Sequence, residues 1–363
     1  MTLNTPDTNT HSGLLGLGVY RPARIVRNDE LVERIDSSDE WIRERSGIIE
    51  RRFAGADEDV ASMGTIAARN ALADAGIDAV DIDTVIVATF THKYQTPSAS
   101  AEIAANIGAV NASAFDVGAA CAGFCYAISV ADALVRSGDA RNVLVVGSEK
   151  LSDVVNFDDR GTAFIFADGA GAVVVGPTPE QGISPTVWGA DGSSREVIIM
   201  SPDTVTAGRE GVPSLLTMEG QRVFRWAVGS MGDVCKEILD KSGLQAGELA
   251  AFVPHQANIR ITDALVKKLD LEDSVVIARD IQHAGNTSSA SIPLALHALR
   301  ESGQVTKGQP FLMVGFGAGL AFAGQVALVP YVSVADRQPN NDPRTAGSPV
   351  KGEEACRRTS SRA

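Results

Sequence analysis

Three runs without polar alternation, residues 83–89 (DTVIVAT), 142–147 (NVLVVG) and 171–175 (GAVVV), constrain the fold more than any other feature of the sequence. A strand with one wet face alternates apolar and polar side chains, whereas a strand covered on both faces has no reason to. Ala-rich stretches that read as helices separate these runs, at 61–75, 99–107 and 122–137, with a short strand at 114–117. The later half resembles the earlier: helix 223–242, strand 251–253, helix 259–269, helix 291–302 and strand 311–314. Alternating β and α units in both halves predict an α/β protein built of two related doubly wound sheets. The repeat is one of pattern only, because no strict sequence period accompanies it.

A Pro/Gly turn cluster at 176–182 (GPTPEQG) marks the boundary, with an N-terminal half over 13–178 and a C-terminal half over 179–334. Residues 190–215 are polar and Gly/Pro-rich, and read as a long excursion over the surface. Residues 1–12 read as a disordered arm and 335–363 as a disordered tail, both polar and without periodicity. The apolar stretch 311–332 raises the question of a membrane helix. Gly315, Gly317, Gly319 and Gly324 interrupt it, and two buried strands flanking a glycine loop fit it better. With no secretory signal visible, a cytoplasmic protein without membrane association is expected.

The 363 residues carry a net charge of −13, which argues against non-specific nucleic-acid binding. An acidic partner must therefore meet a local basic patch. Cys121, Cys125, Cys235 and Cys356 show no CxxC pairing and no disulfide-framework density, so free thiols in a reducing compartment fit best. No ligand cluster calls for a metal.

Cys121 lies in FDVGAACAGF, between a short strand and a long helix. A thiol at such a turn meets the positive end of the helix dipole, so its pKa is expected to fall, and the small neighbours Ala119, Ala120, Ala122 and Gly123 leave room for a reactant. A buried core cysteine is the competing reading. Cys125, one turn on, points into packing. His255 follows strand 251–254 at the carboxyl end, where open α/β sheets bind ligands; a hydrogen-bonded core histidine fits the same segment. Asn286, in HAGNTSSA before a helix, can donate hydrogen bonds without titrating, although such a loop also reads as a simple turn and cap. The loop Gly315–Gly319 (GFGAG) is a weak dinucleotide signal, since a strand-like run follows it. It can instead bring backbone N–H groups close to a developing oxyanion.

Taken together, AACAGF around Cys121, VPHQAN around His255, GNTSSAS around Asn286 and the GFGAG loop resemble β-ketoacyl-acyl-carrier-protein synthase III, the initiating condensing enzyme of bacterial fatty acid synthesis. The resemblance spans about residues 13–330. Elongating condensing enzymes use Cys-His-His, and hydroxymethylglutaryl synthases differ around their acid/base Glu. The resemblance implies a thiolase-like five-layered αβαβα fold of two pseudo-repeated halves, a homodimer, and a ping-pong condensation of an acyl-CoA primer with malonyl-acyl-carrier-protein, with no cofactor. It implies Cys121 as nucleophile, His255 and Asn286 as donors to the enolate, and the N–H of Cys121 with that of Gly317 or Ala318 as oxyanion hole.

Residues 37–40 (SSDE) form a capping-box pattern that sets Trp41 and Arg45 one turn apart. The resemblance assigns coenzyme A contacts to Ser37, Trp41, Arg45, Arg160, Phe224, Ala257 and Asn258, with Gln221 standing where the family has Asn. It assigns carrier-protein docking to Arg225, Arg260, Lys267 and Lys268, the last three at helical spacing, where a solvated charged face is the plainer reading. Thr96 stands in the acyl-pocket loop where acetyl-preferring members have Phe, which implies room for a longer or branched primer. The rival readings are a priming ketosynthase or acyltransferase of a polyketide pathway, a cysteine hydrolase with the same Cys, His, Asn order, and a binding protein with an inert thiol.

Overall fold

A computed structural model describes residues 10–330. The first half runs through β1 (His11–Tyr20), β2 (Arg24–Arg27), α1 (Asp29–Val32), α2 (Asp39–Ser46), β3 (Glu50–Phe53), α3 (Val60–Ala75), β4 (Thr84–Ala88), α4 (Ala99–Ile107), β5 (Ser113–Val117), α5 (Gly123–Ser137), β6 (Val143–Lys150) and β7 (Asp168–Thr178). The second half continues with β8 (Val187–Ala190), β9 (Ile198–Ser201), α6 (Thr204–Glu210), β10 (Leu215–Met218), α7 (Gly220–Ser242), β11 (Ala251–Pro254), α8 (Ile259–Leu269), β12 (Val276–Ile277), α9 (Ile281–Ala284), α10 (Ser291–Glu301), β13 (Pro310–Gly317) and β14 (Ala321–Leu328).

Two five-stranded sheets carry the fold, ordered β1-β7-β6-β4-β5 and β8-β14-β13-β11-β12. The two orders are the same topology written twice, so the pseudo-repeat is present in strand connection although no sequence period announces it. Alternate residues of each central strand face different cores. Ile86 of β4 lies in the core between the sheets, while Val85 and Val87 face α3 and α4. Likewise Phe311 and Met313 of β13 face inward, and Leu312 and Val314 face α7 and α8. That is why these strands show no polar alternation, and burying each such side chain contributes about 1.5–3 kcal/mol.

Helices α5 and α10 fill the space between the sheets. The layers are therefore α3/α4, sheet, α5/α10, sheet, α7/α8, a five-layered αβαβα sandwich. The segment 120–137 is long and apolar enough to cross a membrane, but its helix is this central layer. Stretch 311–332 contains the strand pair β13–β14 rather than a helix.

His11 and Ser12, expected in the arm, open β1, where Ser12 is buried and bonds Asp132. The expectations for residues 1–9 and for the tail, with Cys356, lie outside the described residues. The excursion at 190–215 is structured: β9 and β10 pair as a hairpin, and α6 lies between them.

Candidate active site

Cys121 occupies a single 3-10 turn, Ala120–Ala122, that joins β5 to α5. Ala120 has φ +43°, a left-handed conformation that an L residue rarely adopts. From the other half, β13 passes so close that a Cβ on Gly315 would stand 2.9 Å from the Cys121 carbonyl oxygen. A Cβ on Gly317 would stand 2.9 Å from Cys121 Cβ and 3.1 Å from Sγ. Glycine at both positions is what allows this approach.

The ionisation expected for Cys121 is corrected. Burial pushes its thiol up to about 12; the Ser288 hydrogen bond opposes this and the Glu149 carboxylate adds to it. A helix start supplies at most about 2 kcal/mol, roughly 1.5 pH units, whereas burial moves a group by up to about 3–5 units, and even on the half-buried Cys121 it sets the direction.

His255 follows β11 and is buried, its N–H bonded to the Val314 carbonyl at 2.8 Å. Its Nδ1 lies 2.7 Å from Ser291 Oγ. That oxygen also accepts the Gln256 N–H at 3.3 Å, and with its own proton given to Nδ1 the ring carries its proton on Nε2. Burial pushes the imidazole down to about 3, so the ring is a neutral donor at working pH. Asn286 is also buried, and its Oδ1 accepts the Ser288 N–H at 2.9 Å, which leaves its Nδ2 hydrogens as the side-chain donors.

One cavity of about 850 Å³ gathers Cys121, His255, Asn286, Gly317 and Ala318. It continues past Gln221, Phe224, Ala257 and Asn258 to Trp41 and Arg45. The Arg160 guanidinium lies 4.8 Å and that of Arg45 5.4 Å from the Trp41 ring centre, so a planar, anion-bearing ligand would meet an aromatic face with two cations beside it. Asn258 is committed twice over, capping α8 through Arg260 N–H and donating to the Arg45 carbonyl at 2.9 Å.

Three sequence expectations are corrected. The cap of α2 is Ser38, whose oxygen accepts the Trp41 N–H, and no reciprocal box forms. Ser37 is outside the cavity, its hydroxyl buried without a hydrogen-bond partner. Thr96 is exposed and does not line its own chain's cavity; it lies in an exposed run from Lys93 to Pro97, with Lys93 paired to Asp59 at 2.6 Å. Among the basic residues, Arg225 and Arg260 are exposed at the cavity rim and Lys267 is exposed on α8. Lys268 instead lies across α7, bonding Asp233 at 3.0 Å and the Gly229 carbonyl at 2.9 Å.

Two features escaped the sequence. The supposed excursion supplies cavity wall through Ile198 and Met200, and the strand that closes it through Leu216 and Met218. Glu149 at the end of β6 is fully buried next to the nucleophile turn, a charged residue closing a strand that is buried throughout. That charged residue in VLVVGSEK was the available signal. Among the described residues, no group of three or more His, Cys, Asp or Glu is placed to hold a metal ion.

Residues 115–192 match the family model for 3-oxoacyl-[acyl-carrier-protein] synthase III, and 239–328 match the model of its C-terminal part. The chain is 51% identical to the mycobacterial beta-ketoacyl-[acyl-carrier-protein] synthase III of Mycobacterium avium, over 88% of this chain and 96% of that protein. It is 49% identical to the beta-ketoacyl-[acyl-carrier-protein] synthase III of Streptomyces glaucescens, over 88% and 97% respectively. Among solved structures, the priming beta-ketosynthase of the R1128 polyketide pathway superposes with a TM-score of 0.88 at 48% identity, over 90% of this chain and 98% of that one. The synthase III of Aquifex aeolicus gives 0.81 at 40%, over 87% and 99%.

Proposed function

The chain belongs to the 3-oxoacyl-[acyl-carrier-protein] synthase III family, the initiating condensing enzymes of fatty acid synthesis, and we propose that it joins an acyl-CoA primer to malonyl-acyl-carrier-protein in two half-reactions on Cys121. In the first, the Cys121 sulfur gives up its proton and attacks the primer thioester, and coenzyme A leaves as the thiol. In the second, the malonyl thioester loses carbon dioxide. The enolate oxygen takes hydrogen bonds from His255 Nε2 and Asn286 Nδ2. Its carbon attacks the acyl carbonyl on Cys121, and the released thiolate regains a proton. The N–H of Cys121 with that of Gly317 or Ala318 holds the tetrahedral oxyanion; one such donor is worth about 2.7–4 kcal/mol. Neutral donors suit this work, since they stabilise the enolate without supplying a proton that would quench it.

The observation that carries the reading is that a single cavity joins Cys121 of the first half to His255, Asn286 and Gly317 of the second. Trp41, Arg45, Arg160, Phe224, Ala257 and Asn258 are proposed to seat coenzyme A, and Arg225, Arg260 and Lys267 to receive the acidic carrier protein. The test is a condensation assay with acyl-CoA and malonyl-carrier-protein, read as 3-oxoacyl-carrier-protein by mass spectrometry. The wild type forms product and Cys121→Ala does not; equal product from both overturns the reading.

The similarity to a polyketide priming ketosynthase supports a second reading, in which the same site primes a polyketide carrier protein. Competition between the two carrier proteins for one pool of acylated enzyme separates them. We also propose a homodimer in a reducing cytoplasm. Among the described residues, strand β5 pairs only with β4 and leaves an edge that carries exposed Phe115, and Tyr126 of α5 stacks on exposed Trp188 of the edge strand β8. The free thiols Cys121, Cys125 and Cys235 suit that compartment.

A further inference from the structure

Strands β6 and β13 hold the same place in the two sheets, and each brings a glycine against a turn of the opposite half. A Cβ on Gly147 would stand 2.6 Å from the Ser289 carbonyl oxygen, as one on Gly315 would stand 2.9 Å from that of Cys121. Two residues further along, β13 carries Gly317, which frames the nucleophile. At the matching position β6 carries Glu149. Where one half leaves open space for a reacting oxyanion, the other holds a buried carboxyl group.

Its hydrogen bonds show what it ties together. Oε2 accepts from Thr89 Oγ1 at 3.0 Å, from the N–H groups of Phe90 and Thr91 at 3.2 Å each, and from Thr91 Oγ1. Oε1 accepts from Ser288 Oγ at 3.2 Å. Ser288 has φ +51°, and its N–H is the group that holds Asn286 Oδ1. The N–H groups of Phe90 and Thr91 can only donate, so Oε2 is held as an acceptor, and a charged carboxylate makes all five bonds stronger than a neutral acid would.

We propose that Glu149 is a positioning residue for the condensation half-reaction: its carboxylate fixes Ser288, and through it the Asn286 amide that faces the malonyl enolate. This rests on the reading of Asn286 given above. The Glu149 carboxyl is raised by burial to about 7. Falling pH through that value protonates it, replaces a charged acceptor by a neutral acid, and loosens Ser288. The titratable group facing it is the Cys121 thiol; Lys150, its neighbour on β6, turns its ammonium to the carbonyls of Gly55 and Glu58 at 3.0 and 2.8 Å. The segments from Thr89 to Thr91 and from Asn286 to Ser291 present only neutral groups. Because the Glu149 charge opposes the thiolate, its loss should not slow acylation.

The experiment separates the half-reactions in the full-length enzyme. Acylation of Cys121 by acyl-CoA is followed by intact mass, and condensation by single turnover of the acyl-enzyme with malonyl-carrier-protein. Glu149→Gln is expected to lower condensation about 10-fold or more, with acylation unchanged or faster, and to remove the inflection near pH 7 from condensation. Glu149→Asp, which keeps the charge but shortens the reach to Ser288, is expected to give the same split and serves where Glu149→Gln fails to fold. An equal loss in both half-reactions, or unchanged condensation, overturns the proposal. Asn286→Ala run alongside distinguishes the failures: if it retains condensation, the underlying site reading fails; if it loses condensation while Glu149→Gln does not, only the present proposal fails.

Discussion

The Nδ1 of His255 lies 2.7 Å from the Oγ of Ser291, and a hydroxyl donating there leaves the ring proton on Nε2. Ser291 opens α10, so the helix that packs between the two sheets also anchors the imidazole at the site. Replacing Ser291 with Ala removes the donor to Nδ1 and frees the ring to carry its proton there. Condensation should fall about 10-fold, the equivalent of one hydrogen bond, while acyl-enzyme formation holds. Rapid-quench measurement of each half-reaction checks it; equal slowing of both would show that Ser291 acts on the fold instead.

His255 is pushed down to about 3 by burial, below its unfolded value near 6.5. As pH drops from 6.5 towards 3, the unfolded chain binds a proton there that the native chain refuses, so the native state loses stability across that window. His255→Gln should lose less over the same range. Urea midpoints of the two proteins at pH 7 and pH 5 provide the comparison, and a wild type no more acid-sensitive than the variant contradicts the buried neutral ring.

The Cys121 thiol, pushed up to about 12, is predicted to react slowly with iodoacetamide at neutral pH and faster as pH rises beyond 9. A rate that levels off below pH 8 would restore the helix dipole as the dominant influence.

At Gly317 an added Cβ would meet Cys121 Cβ at 2.9 Å and its sulfur at 3.1 Å. Gly317→Ala should cost about 10²-fold in acylation, comparable to loss of one oxyanion donor. Burst kinetics with acyl-CoA provide the readout, and an undiminished burst removes the loop from the mechanism.

Arg260 and Lys267 are exposed, whereas Lys268 is bound to α7. Reversal of the first two to Glu should raise KM for malonyl-carrier-protein several-fold with little change for acyl-CoA, an effect that fades with added salt. Lys268→Ala should instead lower Tm. Equal effects on both substrates would leave the basic residues as ordinary solvated charge.

The layer order was legible because it rests on local pattern. Val85, Ile86 and Val87 announce a strand buried on both faces, and both are indeed covered. Cys121, His255, Asn286 and the glycine loop were legible as motifs, and one cavity collects them. What escaped depends on contacts between distant segments. The partners of Glu149 come from residues 89–91 and 288, and no spacing rule links them. Lys268 reads like its neighbour Lys267 until α7 is placed beside it. The thiol was misjudged for the same reason: a helix start can be read from sequence, but the desolvation that outweighs it arises only when β13 closes over the turn.

The most direct test is intact-mass spectrometry of the wild type and Cys121→Ala after incubation with acyl-CoAs from acetyl to longer and branched chains. A covalent acyl-Cys121 intermediate predicts one acyl group added to the wild type, mapped by peptide analysis to Cys121, and none on the variant. Acylation of the variant to the same extent, or acyl transfer to product with no mass ever appearing on Cys121, would contradict it.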